Sequence, residues 1–136
     1  MKARSGFTLV EILIVVVILG ILAAIVIPQF TDASTEAKES ALKSDLQTMR
    51  SQIELYKIQH NDTPPSLADF AAQMTGTTDV LGATTGTDYG PYLQQVPTNQ
   101  FNDSKTLAAA AAVGVGWEYD ATTGEIHPGD ADHNAL

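Results

Sequence analysis

A single carboxylate, Glu11, lies within an otherwise apolar stretch of this 136-residue chain. Between Phe7 and Ile27, only Thr8 and Glu11 are neither apolar nor glycine. A run of about 20 apolar residues spans the ~30 Å hydrocarbon core of a bilayer as a helix. A charged side chain inside such a helix costs ~2.5–3.5 kcal/mol on insertion scales. Glu11 is therefore expected to have a partner and a function.

The apolar stretch supplies no cationic side chain to Glu11, since it contains no Lys, Arg or His. A cation would have to come from outside the stretch, and an α-amine at the start of the helix would lie about one helical turn from Glu11 of the same chain. In a bundle of axially staggered helices, the amine can instead meet Glu11 of a neighbour. The alternative is a carboxylate that reaches the membrane surface and stays unpaired.

The residues that flank the apolar stretch indicate its orientation. Lys2 and Arg4 precede it, and positive charge favours the cytoplasmic side. We therefore expect a single-pass inner-membrane protein with a cytoplasmic N-terminus and residues 28–136 on the outer side.

A second helical pattern follows the apolar stretch over residues 28–60. Pro28 removes a backbone donor and predicts a kink. Beyond Pro28, apolar side chains recur at intervals of 4, 3, 4 and 3, which is one face of a helix; they are Leu42, Leu46, Met49, Ile53 and Tyr56. This core stripe is expected to pack on the chain's own sheet. The helix should end near His60, because Asn61–Pro65 cannot continue it.

The remaining residues, 61–127, have the patterns of a small globular region. Ser66–Asp69 reads as a capping box that opens a short helix through about Met74. Alternation from Val113 to Tyr119 predicts a half-buried strand, and Glu125–His127 a returning strand. The pattern does not place residues 104–112, and residues 128–136 read as a loose polar tail. The predicted class is α+β, with a long N-terminal helix packed on a small antiparallel sheet.

Charge and composition exclude several functions. The chain has 16 acidic and 7 basic side chains, a net charge of −9, so its surface repels phosphate backbones and nucleic acid is not an expected partner. The absence of cysteine excludes disulfides and zinc–thiolate sites. The sequence contains no convincing nucleophile–base pair or phosphate loop, and an enzyme is not expected.

The segment Gly6-Phe7-Thr8-Leu9-Val10-Glu11, after a short basic leader, resembles the class III signal of type IV pilins and pseudopilins. The resemblance implies the pilin fold and removal of residues 1–6 by a prepilin peptidase that cuts between Gly6 and Phe7. It also implies N-methylation of Phe7 by the same enzyme. In such a homopolymer, Glu11 would pair with the Phe7 amine of a neighbouring subunit and set the register of assembly.

A second segment, Gly90-Pro91-Tyr92-Leu93-Gln94-Gln95-Val96-Pro97, resembles the Gly-Pro-Tyr-Leu-x-x-Val-Pro segment of type II secretion major pseudopilins. The partners this implies are an inner-membrane assembly platform, minor pseudopilins and membrane lipid. The globular part would be periplasmic, or extracellular in the filament.

Many major pseudopilins bind calcium in a C-terminal loop that follows a Ser-x-Gly-x-Asp-like stretch. Residues 117–125 occupy that region here and lack the pattern. Calcium needs six or more oxygen ligands, and the sequence offers only weak candidates, Asp120, Glu125, Asp130 and Asp132. His127 and His133 flank the last two, but surface histidines are the commoner interpretation.

Two other functions stay open at this point. One is a type IV pilin of a surface fibre for adhesion, motility or DNA uptake. The other is a secreted acidic binding domain whose first ~24 residues are a discarded signal peptide. The intact mass separates them: loss of residues 1–6 supports a filament subunit, and loss through about Ala24 refutes one.

Overall fold

A computed structural model describes residues 6–136 of the chain. The chain divides into two compact units, Met1–Ala37 and Lys38–Leu136, which are considered separately below. The elements in chain order are two helices, α1 (Leu9–Gln59) and α2 (Phe70–Thr75), and three strands, β1 (Leu107–Ala108), β2 (Trp117–Tyr119) and β3 (Ile126–Pro128).

The first unit contains the apolar part of α1. From Leu9 to Ile27 the side chains of this part are exposed, as expected of a helix whose apolar surface is covered by something other than its own chain. Among the described residues, α1 is the one helix long and apolar enough to cross a membrane, judged by length and composition. The helix continues through Pro28, and the predicted kink there stays a prediction.

The second unit has a core built on α1. All five residues of the core stripe are at most 2% exposed, which confirms that this face packs within the chain. The stripe joins a cluster that includes Phe70 and Met74 of α2 and Trp117, Tyr119 and Ile126 of the sheet. Burial of each such side chain stabilises the fold by about 1.5–3 kcal/mol.

The sheet has the strand order β1-β2-β3 and is mixed. β2 and β3 are antiparallel, with Glu118 opposite His127, whereas β1 runs parallel to β2. The α+β class is confirmed, and the expected antiparallel sheet is limited to the β2–β3 pair. Alternation places Trp117 and Tyr119 of β2 in the core, where Trp117 Nε1 donates to Pro97 O (2.8 Å) and Tyr119 OH to Pro65 O (2.8 Å).

The Gly90–Pro97 segment connects three parts of this unit. The backbone amides of Tyr92 and Leu93 both donate to Met74 O at the end of α2, and Tyr92 OH donates to Gln59 Oε1 at the end of α1 (2.6 Å). Leu93 and Val96 are buried in the core. The segment thus has a structural role in this chain.

Residues 128–136, expected to be loose, are attached to the second unit. Asn99 is fully buried and donates from Nδ2 to Asp130 Oδ1 (2.6 Å), and Asp130 Oδ2 accepts from His133 Nδ1. Arg50 of α1 donates to Ile126 O (3.0 Å) and to Leu136 O (3.3 Å). Apart from the local Asp130–His133 pair, these partners are far away in sequence, so the polar composition of the segment did not reveal them.

Two other local expectations differ from the structure. Helix α2 begins at Phe70, after a turn in which Ser66 Oγ accepts from the Asp69 amide (3.1 Å) and donates to its carboxylate (3.3 Å). The predicted strand from Val113 is reduced to β2, because Val113 lies fully exposed in the loop before it. The alternation of apolar side chains there arises because glycines, Gly114 and Gly116, follow the two valines, and it does not mark a buried face of a strand.

Candidate processing and assembly site

The predicted cleavage bond lies in a short non-helical segment at the N-terminal end of α1. Residues 6–8 are outside regular structure, the helix begins at Leu9, and both Gly6 and Phe7 are exposed. A peptidase needs an accessible backbone outside regular secondary structure, and this segment offers one. The basic leader residues Lys2 and Arg4 lie outside the described residues.

Thr8 and Glu11 form a reciprocal hydrogen-bonded pair at the first turn of α1. The Thr8 amide and the Thr8 hydroxyl each donate to Glu11 Oε2, both at 2.9 Å. In return, the Glu11 amide donates to Thr8 Oγ1 at 3.2 Å. This is the geometry of a capping box, in which an N-cap Thr and a Glu three residues later satisfy free donors of the first turn.

The capping box changes the interpretation of Glu11. The sequence argument considered only a cation as its partner, but in the uncut chain Thr8 already supplies two donors to one carboxylate oxygen. The Thr-x-x-Glu spacing of residues 8–11 is itself the capping-box signature. Sequence reasoning recognised that signature at Ser66 and missed it here, where it identifies Thr8 as a site residue.

The second carboxylate oxygen of Glu11 is available to a further donor. Among the described residues, no side chain or amide donates a hydrogen bond to Glu11 Oε1, and no ion pair includes Glu11. In the uncut chain the Phe7 nitrogen is a neutral peptide nitrogen, and cleavage would convert it into a cation. The arrangement can therefore hold Glu11 through Thr8 and still accept one incoming ammonium group.

The weak calcium candidates lie in two separate places. Asp120 Oδ1 accepts from the Thr122 amide (2.7 Å) in the turn between β2 and β3, and the carboxylate of Asp130 is held by Asn99 and His133. Glu125 and Asp132 are exposed. Within residues 6–136, no cluster of three or more potential ligands of the His, Cys, Asp or Glu type occurs. These carboxylates do not assemble a six-oxygen cage among the described residues, and they stay weak calcium candidates that nothing in the structure tests.

Comparison with known protein families identifies the class of the N-terminal segment. Residues 1–27 match the family model described as the prokaryotic N-terminal methylation motif. This chain therefore carries the prepilin signal. The matched residues include the basic leader, Gly6–Phe7, the Thr8–Glu11 capping box and the apolar part of helix α1.

Among curated proteins, the chain is similar to the type II secretion system core protein G of several bacteria. It is 46% identical to that of Pseudomonas aeruginosa over 57 residues, which is 42% of this chain and 40% of the relative. It is 26% identical to that of Aeromonas hydrophila over 113 residues, 83% of this chain and 78% of the relative. A fimbrial protein of Pseudomonas aeruginosa is 44% identical over 54 residues, 40% of this chain and 35% of the relative.

Apart from the Aeromonas hydrophila protein, the aligned segment spans from 40% to 54% of the length of these core protein G relatives. No solved structure matches the chain.

Proposed function

We propose that this chain is the precursor of a filament subunit, and that the filament is the pseudopilus of a type II protein secretion system. In this proposal a prepilin peptidase removes residues 1–6 and methylates Phe7. The mature subunit then polymerises through its N-terminal helix. The observation that carries the proposal is the prepilin signal over residues 1–27 joined to a helix that exposes its whole apolar length.

The chemistry of the site supports a role in assembly. Cleavage creates an ammonium group at Phe7, one turn before a carboxylate whose second oxygen accepts no hydrogen bond from residues 6–136. In a low-dielectric membrane, attraction between the two is strong at contact. A pair formed between subunits favours one axial offset, because other offsets leave both charges without a partner. The inner-membrane assembly platform and minor pseudopilins belong to this proposal as partners.

The second candidate is a type IV pilin of a surface fibre. The similarity to a fimbrial protein over 54 residues favours it, and the N-terminal mechanism would be the same. The two candidate functions can be distinguished by the phenotype of cells that lack this chain. Loss of protein secretion with unchanged surface fibres supports the pseudopilin, whereas loss of fibres with normal secretion supports the pilin.

The processing step is tested by the intact mass of the protein purified from membranes. We expect a chain that begins at Phe7 and carries one added methyl group. A chain shortened through about Ala24 would show that the apolar stretch is an ordinary signal peptide, and it would refute the filament subunit.

The cut site is tested with Gly6→Val, which should leave a full-length precursor in the membrane because the peptidase is expected to need a small residue there. Gly20→Val is the matched control, since Gly20, like Gly6, has open space where a Cβ would lie but is remote from the cut. Mature protein of normal size from Gly6→Val would contradict the proposed site.

A further inference from the structure

The loop between β1 and β2 holds an apolar tip in solvent. Residues 106–117 contain no charged side chain, residues 109–113 are exposed, and Val113 is fully so. The tip is fastened at its base, since Ser104 Oγ and Thr106 Oγ1 both donate to Gly114 O (2.7 and 3.0 Å). The Ala112 amide donates to Gly129 O (3.1 Å). Because these hydrogen bonds hold the apolar tip in solvent, it cannot be covered by folding back onto the core. Its exposure therefore indicates a contact surface for another molecule.

A second exposed surface without charge lies on the outer side of α1 in the same unit. Residues at intervals of 4, 3, 4 and 3 form this outer stripe: Ser44, Thr48, Ser51, Leu55 and Ile58. Ile58 is 78% exposed and Leu55 41%. The hydroxyls of Thr48 and Ser51 donate to carbonyls of their own helix, both at 2.9 Å. The stripe can therefore be covered without leaving those donors unpaired.

The charges beside the two surfaces are complementary. Lys105, two residues before β1, is exposed and forms no ion pair within the described part of the chain. Glu54 and Asp62 are exposed, four residues before and after Ile58. Lys57 Nζ pairs with Glu54 Oε1 (3.0 Å), which leaves one net negative charge at this end of the stripe. Two copies of a chain with a net charge of −9 repel each other over most of their surface. They approach best where one uncharged surface meets another and a free cation meets carboxylates.

We propose that the Val113 loop of one copy docks on the Leu55–Ile58 end of the outer stripe of the next copy. Because the two surfaces are different, the contact is head-to-tail and can repeat without closing, as a filament requires. This inference rests on the proposed function and adds to it a contact outside the membrane-spanning segment.

The absence of cysteine in the chain allows a direct test by cross-linking. Two tagged copies, one with Val113→Cys and the other with Ile58→Cys, are expressed together with an excess of wild-type chain. Sheared filaments are then oxidised. We expect a disulfide-linked heterodimer that carries both tags, in about tenfold excess over that from the control pair Val113→Cys with Leu81→Cys. Leu81 is a suitable control because it is 84% exposed on a different loop.

Equal yields from the two pairs, or no heterodimer in filaments that form normally, would overturn the docking contact. Failure of the wild-type chain to form filaments would instead overturn the proposed function. The contact is also contradicted if the Val113→Cys copy cross-links to an exported protein while neighbouring copies do not cross-link to it.

A second measurement does not depend on cysteine. Val113→Asp should lower filament yield about tenfold, the effect of losing one buried apolar side chain. Leu81→Asp, the matched control, should leave the yield unchanged. An unchanged yield from Val113→Asp contradicts the proposal.

Discussion

Thr8 donates both its amide and its hydroxyl to one oxygen of Glu11, at 2.9 Å each, while the Glu11 amide donates back to the Thr8 hydroxyl. The two residues therefore combine two functions that mutagenesis can separate. One is to satisfy the first turn of α1, and the other, in the proposed function, is to present a negative charge to a neighbouring subunit.

Glu11→Gln separates these functions, because glutamine keeps the capping box but has no charge. We expect Glu11→Gln and Glu11→Ala to be cleaved and inserted normally and to yield few or no filaments, measured by shearing and microscopy. Normal yield from Glu11→Gln with poor yield from Glu11→Ala would show that capping, and not charge, is what assembly needs. Normal yield from both would leave apolar helix packing as the sole driver.

Thr8→Val removes the hydroxyl from the cap and keeps the size of the side chain. Loss of a Thr cap costs a helix about 0.5–2 kcal/mol, so we expect a frayed first turn and a lower filament yield. Thr8→Ser is the matched control, since it retains the hydroxyl and should assemble like wild type. Equal yields from the two variants would exclude the hydroxyl from the mechanism.

The second unit should fold without the membrane-spanning segment. A fragment from Thr31 to Leu136 contains the whole core, including Met49 and Ile53, which are fully buried. We expect cooperative unfolding in urea, with Met49→Ala destabilised by about 2–5 kcal/mol. Ser51→Ala, on the exposed side of the same helix, should change stability by less than about 0.5 kcal/mol. A wild-type fragment that unfolds without cooperativity would show that this half needs its neighbours.

Gly124 and Gly114 offer a matched pair for backbone strain. Their φ angles are +83° and +82°, where an L side chain costs about 1–2 kcal/mol. A Cβ at Gly124 would lie 3.2 Å from Ile53 Cγ2 and 3.3 Å from Lys57 Cδ, whereas a Cβ at Gly114 meets nothing within 4 Å. We expect Gly124→Ala to be the more destabilised of the two in urea unfolding. Equal losses of stability in the two variants would show that helix α1 moves enough to relieve the contact with the new Cβ.

Asp130 predicts a pH dependence of stability. Burial alone would raise the pKa of the Asp130 carboxyl, but the hydrogen bonds from His133 and Asn99 outweigh it and hold this pKa below its ordinary value. The contribution of Asp130 is therefore present above the unfolded pKa of about 3.9 and is lost as the pH falls through the lower folded pKa.

We expect Asp130→Asn to lower the free energy of unfolding by roughly 1 kcal/mol near neutral pH, and by less below about pH 4. Asp132→Asn, an exposed neighbour, is the control and should have little effect at either pH. A deficit in Asp130→Asn that stays constant over this range would show that the ionised carboxylate does not stabilise the C-terminal segment.

The features that sequence predicted correctly are those with a local period. The core stripe from Leu42 to Tyr56 repeats at helical intervals, and each of its residues is buried. The end of α1 follows from Asn61–Pro65. The N-terminal methylation motif is likewise contiguous and could be recognised before any fold was known, whereas the roles of Gly6, Phe7 and Glu11 within it stay predictions.

The features that sequence missed depend on partners far away along the chain. Residues 128–136 have the composition of a loose tail, yet Asn99 and Glu118 bind them from 31 and 16 residues away. The parallel pairing of β1 with β2 gives no local signal, since β1 has only two residues. The sequence around Val113 alternates like that of a strand, but among the described residues no neighbouring strand covers the Val113 side chain. In each case the deciding contact, or its absence, lies outside the local pattern of side chains.

The contacts of Arg50 also set the order of events during folding. Its guanidinium bonds to Ile126 O and Leu136 O, which lie 76 and 86 residues later in the chain. The second unit therefore cannot complete its fold until residue 136 is available to α1, long after the N-terminal part of that helix has been synthesised. Contacts of such long range form slowly, because loop closure must precede them. A chain with helix α1 present but its core unfinished thus exists for a time, when proteases and chaperones compete for it.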